Sequence, residues 1–246
     1  MGGDADLAAV GRLLADPGRC RVLLALGDGR ALPASGLAAE AGVRASTASE
    51  HLAKLVDAGL LCVETHGRHR YFRLAGPHVA RVLEAVAQVA PAHPVRSLRQ
   101  GTRAQQVRDA RTCYDHLAGR LGVALLQSLI DLGHVCGGDG SFRPELAVHD
   151  RLAATGRGDV QYVLTDSGRA LFADLGVQLP GEQRELRYCV DWSEQRHHLA
   201  GAAGRSLCSR LAELSWIRRS PATRAVTLTD AGRAGLAQHF HLDWRQ

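Results

Sequence analysis

The chain has 246 residues, 46% hydrophobic and 22% charged, enough to bury one substantial core or two small ones. It holds no apolar run of about 18 residues, which excludes a membrane-spanning helix, and Met1–Asp6 lacks the basic-then-apolar order of a secretory signal, so a cytoplasmic protein with no membrane partner is expected. The net charge of +5 and a pI near 9.1 suit nucleic-acid binding without demanding it.

In chain order, Asp6–Leu14 has helical spacing, and Asp16-Pro17 supplies a cap with proline at the first helical position of a second helix reaching about Leu26. A third helix, Pro33–Ala41, stops at Gly42, and a fourth runs from Ser46 to Ala58 before Gly59. Strands Leu60–Thr65 and Arg70–Leu74 join at Gly67, and Pro77 opens another helix. Two short helices around a glycine turn, then a two-stranded wing, spell a winged helix-turn-helix. Pro91 and Pro94 mark a hinge.

From Val95 to Leu132 the chain reads as mostly helical, and a repeat follows. DHLAGRLGVALLQSLIDLGHV (Asp115–Val135) aligns without gaps on HHLAGAAGRSLCSRLAELSWI (His197–Ile217), and LTDSGRA (Leu164–Ala170) matches LTDAGRA (Leu228–Ala234). Each copy is expected to be a long helix, a connection and a strand entering a second helix capped at Thr165-Asp166 or Thr229-Asp230. The expected fold is mainly α with small β wings, an α+β fold. Residues 1–90 form the DNA-binding and dimerisation domain, 91–109 a hinge and linker helix. Residues 110–246 form a mostly helical regulatory domain of two copies, 110–180 and 186–246, in the manner of degenerate winged helices.

In the fourth helix Leu52, Leu55 and Val56 make the buried stripe, while Ser46, Thr47, Ser49, Glu50, His51 and Lys54, with Arg44 ahead of them, make a polar face suited to phosphates and base edges. The hairpin tip adds His66, Arg68, His69 and Arg70, cationic groups for phosphate or a minor groove. DPGRCRVLLAL, GLAAEAGVRASTASEHLAKLVDAGLL and GRHRYFRL resemble the DNA-binding domain of ArsR-family bacterial regulators over roughly residues 6–90. The resemblance implies a homodimer on a double-stranded palindromic operator, a repressor released by a small-molecule, metal or oxidant effector. It also implies a dimer face on Asp6–Leu14 and Pro77–Ala90. The chain departs from the family's metal sensors. Leu32–Ala41 has no cysteine for a Cys-x-Cys site, and Gly76–Ala90 offers only His78 and Glu84.

Six cysteines form no Cys-x-x-Cys. Cys113-x-Asp115-His116 precedes the first Leu-Ala-Gly, and Cys189-x-Asp191 with His198 precedes the second. Thiolate, imidazole and carboxylate suit zinc or another transition metal, so Cys113, His116, Cys189 and His198 are candidates to converge between the copies. A thiol acidified by a neighbouring histidine or by Arg111 or Arg187 is the redox alternative, and a structural role is the third. Trp192 and Trp216 are candidates for an apolar effector pocket, or core residues. No GxSxG, HExxH, P-loop or dinucleotide fingerprint occurs, so an enzyme is not expected, although a Cys/His pair can serve nucleophilic chemistry.

Overall fold

Two aspartates set the first turns of the protein. In the computed structural model α1 (Leu7–Leu14) starts at Asp6, whose carboxylate accepts the Ala9 N–H at 2.9 Å. α2 (Pro17–Ala25) starts at Asp16, which accepts the Arg19 N–H at 2.8 Å. Pro17 sits where a helix has no use for an N–H. The residues described are 4–67, 69–91, 98–143, 160–181, 184–220 and 223–244. Arg68, most of the hinge and residues 144–159 lie outside them.

The chain divides into two compact units, Met1–Leu83 and Glu84–Gln246. In the first, β1 (Leu32–Pro33) precedes α3 (Ala34–Ala41), so the helix expected from Pro33 begins one residue later, because Pro33 pairs with Tyr71. Gly42 closes α3 in the left-handed region, φ +67°, where glycine carries no Cβ penalty, and turns the chain into α4 (Ala45–Asp57). β2 (Leu61–His66) and β3 (His69–Leu74) pair antiparallel from Leu61↔Leu74 to His66↔His69, with β1 on the outer side of β3. α5 (Pro77–Val89) follows, its residues from Glu84 on belonging to the second unit. Val22, Leu23, Leu37, Leu52, Leu55 and Phe72 close a core beneath α4.

The second unit runs α6 (Leu98–Asp109), β4 (Arg111–Cys113), β5 (His116–Ala118), α7 (Gly119–Asp131), β6 (Val135–Cys136), β7 (Tyr162–Leu164) and α8 (Asp166–Asp174). It continues with β8 (Glu185–Val190), β9 (His197–Ala200), α9 (Gly201–Glu213), β10 (Ile217–Arg219), β11 (Val226–Leu228) and α10 (Asp230–Phe240). From β4 and from β8 the same order unfolds: hairpin, helix, two short strands, helix.

Here the expected helical region is corrected. The long helices expected from Asp115 and His197 begin only at Gly119 and Gly201. The His-Leu-Ala before each is a strand paired with an Arg-x-Cys strand, Arg111↔Ala118 to Cys113↔His116 and Arg187↔Ala200 to Cys189↔His198.

The two copies are interleaved. β8 and β9 of the later copy extend β6 and β7 of the earlier one into a four-stranded sheet, order β6-β7-β8-β9. Reciprocally, β4 lies beside the strand leading into β11, through the Arg111↔Ala225 bridge and the Thr112 N–H to Arg224 carbonyl bond of 3.0 Å. A single core results, holding Leu121, Leu126 and Phe172 from one copy with Leu207, Leu211 and Phe240 from the other. Among the described residues no helix is long and apolar enough to cross a membrane.

Candidate functional site

Among the described residues, two sets of side chains carry chemistry, one in each unit. On α4, Ala48, Leu52 and Leu55 are buried, while Arg44, Ser46, Ser49, Glu50 and Lys54 are exposed and Thr47 is half-buried. The exposed set begins at the first turn, where unpaired N–H groups and the helix dipole favour phosphate. The Ser49 hydroxyl donates to the Ala45 carbonyl at 3.0 Å.

His51 departs from the polar face. It is 8% exposed and lies against Gly18, with Nε2 3.5 Å from the Asp16 carboxylate. Residue 51 falls three after Ala48 and four before Leu55, which puts it on the buried stripe. The expectation that it reads DNA is corrected: it braces α4 against α2. At the wing, β2 and β3 end on His66 and His69, Gly67 turns the chain at φ +61°, and His69 and Arg70 are exposed. Arg68, also expected at this tip, lies outside the described residues.

In the second unit, Cys113, His116, Cys189 and His198 come together, their ligand atoms all within 4.8 Å of one another. Each cysteine stands directly across an antiparallel pair from its histidine, and β5 lies against β9. The two imidazoles stack with centroids 5.2 Å apart and planes 28° apart. Gly122 and Gly204 allow this approach. A Cβ on Gly122 would meet the Leu117 carbonyl at 2.6 Å and the His198 Cβ at 3.5 Å, and one on Gly204 would meet the His116 Cβ at 3.1 Å.

A carboxylate stands behind each histidine. His116 Nδ1 is 3.0 Å from Asp115, which also accepts Arg205 Nε at 2.6 Å. His198 Nδ1 is 3.8 Å from Asp191. Asp191, fully buried, accepts Arg111 at 2.8 Å, the Gly119 N–H at 2.6 Å and the Ser193 hydroxyl at 2.7 Å. Burial alone would raise its carboxyl, but the Arg111 guanidinium overrides that and holds it well below the usual carboxylate range. Burial pushes His198 down to about 3. Burial also works against charge on His116, yet the Cys113 sulfur and Asp115 raise it to about 9.

Two further expectations are corrected. Arg111 does not acidify Cys113. Its guanidinium bonds Asp191 and covers the Trp192 ring at 4.7 Å, while the neighbouring Cys189 and burial raise the Cys113 thiol. Trp192 and Trp216 do not share a pocket either. Trp216 packs on Gly235 and His239, and a cavity of about 260 Å³ in this unit is lined by Leu179, Pro180, Leu186 and Arg187 without either tryptophan. Sequence reasoning missed the Arg111–Asp191 pair. The Arg-x-Cys repeat was its signal, although Arg187, the counterpart of Arg111, is exposed.

A helix-turn-helix whose second helix shows a polar face, followed by a basic hairpin, defines a DNA-binding protein. The family model described as a helix-turn-helix domain matches residues 14–64. The chain is similar to the uncharacterized HTH-type transcriptional regulator YdfF of Bacillus subtilis, 38% identical over 241 residues, 96% of this chain and 98% of that protein. It is also similar to the HTH-type transcriptional regulator CmtR of Mycobacterium bovis, 44% identical over 86 residues, 35% of this chain and 72% of CmtR. Among solved structures, the cadmium metal-sensor CMTR from Mycobacterium tuberculosis is 43% identical over 37% of this chain and 94% of that one, with a TM-score of 0.31. The chain belongs to the HTH-type transcriptional regulators, and its N-terminal unit is a winged helix-turn-helix. It is a DNA-binding regulator of transcription.

Proposed function

We propose that the protein is a cytoplasmic, homodimeric repressor that reads an operator with α4, grips phosphate with the wing, and lets go when an effector settles in its second unit. The observation that carries the DNA half is the exposed row Arg44, Ser46, Ser49, Glu50 and Lys54 above a fully buried Ala48 and Leu55. Self-association is supported by α5, where Val82, Val86 and Val89 are 45%, 43% and 75% exposed at helical spacing. A stripe of that kind on a polar protein is a contact surface.

The test is operator binding by variants of the full chain. Ser46→Ala with Ser49→Ala removes side-chain oxygens without touching the buried stripe, so discrimination between operator and random DNA is lost while thermal unfolding is unchanged. Arg70→Ala weakens binding to every sequence and lowers the salt slope by about 1, as for one phosphate contact. Full discrimination by the double-serine variant would overturn the assignment of α4.

A further inference from the structure

We propose that Cys113, His116, Cys189 and His198 form a closed site for one zinc-class divalent cation per chain, with two ligands from each copy.

The donor set comes first. Two sulfurs and two imidazoles within 4.8 Å of one another are the ligands of tetrahedral zinc. Zn–S bonds of about 2.3 Å and Zn–N bonds of about 2.0–2.1 Å place tetrahedral ligands roughly 3.3–3.8 Å apart, so the widest pair closes by about an ångström. Hard cations are disfavoured, because the nearby carboxylates are engaged elsewhere: Asp191 by Arg111, Ser193 and Gly119, and Asp115 by Arg205.

The second support is polar groups that lack another use. His116 is 6% exposed and His198 fully buried, yet Nε2 of His116 and both ring nitrogens of His198 have no hydrogen-bond partner. An unpaired buried polar group is costly, and a metal bond satisfies it. Asp115 hydrogen-bonds Nδ1 of His116 from behind, the arrangement that fixes ring orientation and raises ligand basicity, and Asp191 stands 3.8 Å from Nδ1 of His198. A Cys113–Cys189 disulfide would leave both imidazoles unpaired, whereas an ion uses all four groups.

The geometry also sets a consequence. Each hairpin contributes one cysteine and one histidine from facing positions, so the ion cross-links β4–β5 of one copy to β8–β9 of the other. Binding only the folded chain, it stabilises that chain. No cysteine lies in α3, so this site differs in position from a Cys-x-Cys sensor on the helix before the turn.

The experiment uses the full chain, purified under reducing conditions, stripped of metal and titrated with Co2+. One Co2+ per chain is expected, with tetrahedral visible bands, a thiolate-to-cobalt charge-transfer band, and displacement by one equivalent of Zn2+. Cys113→Ser with Cys189→Ser removes the charge-transfer band and weakens binding at least tenfold, while Cys189→His keeps the ion with a weaker band. The proposal is overturned by no stoichiometric Co2+ binding in the wild type, by an octahedral spectrum without the thiolate band, or by a spectrum unchanged in the double-serine variant. It rests on the effector reading above only for its regulatory consequence. Operator affinity with and without Zn2+ is therefore measured separately, and a shift of about 5- to 150-fold is expected. Unchanged affinity would overturn release by this ion while the Co2+ titration still decides the site.

Discussion

Asp16 holds the start of α2 and steadies α4 at once. Its carboxylate takes the Arg19 N–H, and the same oxygen lies 3.5 Å from His51 Nε2. The Arg19 N–H is the main reason its carboxyl sits below the ordinary value, with burial opposing it and His51 adding to it. A depressed acid contributes stability above its unfolded pKa and loses it as the pH falls through the folded one. Asp16→Ala is therefore expected to cost about 1 kcal/mol near neutral pH, the usual worth of a cap. The gap should narrow once the pH drops below about 4. Urea unfolding at pH 7 and pH 3 checks this, and an equal gap at both would refute the electrostatic account. Asp191 shows the same logic in a dry setting. Removing it would strand the fully buried Arg111, a loss of about 3–5 kcal/mol for an uncompensated charge.

Among the elements, the two Leu-Thr-Asp-x-Gly-Arg-Ala segments can be explained residue by residue. Thr165 and Thr229 cap α8 and α10, accepting the N–H of Gly168 at 3.2 Å and of Gly232 at 3.0 Å. Asp166 and Asp230 occupy the first turns, where the dipole favours an acid. The glycines are there for space. A Cβ on Gly168 would run into the His134 carbonyl, and one on Gly232 into the Trp216 carbonyl, the same oxygens that accept the Thr165 and Thr229 N–H groups. Backbone does not yield as a side-chain tip does. Gly232→Ala is expected to destabilise the protein by about 1–3 kcal/mol, the cost of overpacking. An unshifted denaturation midpoint would contradict this account.

For the whole molecule, the proposed reading by α4 covers only a half-site, so the proposed repressor needs two copies. Dimerisation should place two reading helices one turn of DNA apart, ~34–36 Å. Sedimentation equilibrium at micromolar concentration is expected to show a dimer, and footprinting two protected half-sites at that spacing. Val86→Glu puts a charge on the exposed stripe of α5 and should shift the population to monomer. A monomer in the wild type, bound singly, would sink the proposal. The second unit has a different logic. The β8–β9 hairpin of the later copy completes a four-stranded sheet with β6–β7 of the earlier one, β4 meets the segment before β11 through the Arg111↔Ala225 bridge, and both copies rest on one core.

Much of the first unit was legible in the sequence because its signals are local. Asp16-Pro17, Gly42 and Gly59 mark helix ends within a few residues, and the apolar spacing of α4 names its buried side. His51 was readable from the same spacing, but its polarity pointed outward. The recurrence of Cys-x-Asp and His-Leu-Ala-Gly singled out the four metal-type ligands before any fold was known. Only the tertiary structure decided what surrounds them. Strands as short as Arg111–Cys113 and His116–Ala118 are too brief to show a period, and they exist because a partner strand supplies their hydrogen bonds. The Arg111–Asp191 pair and the sheet that β8–β9 completes with β6–β7 join residues distant in sequence, as does the packing that parts Trp192 from Trp216. Pairings of that range depend on the packing of the whole core, which no local spacing encodes.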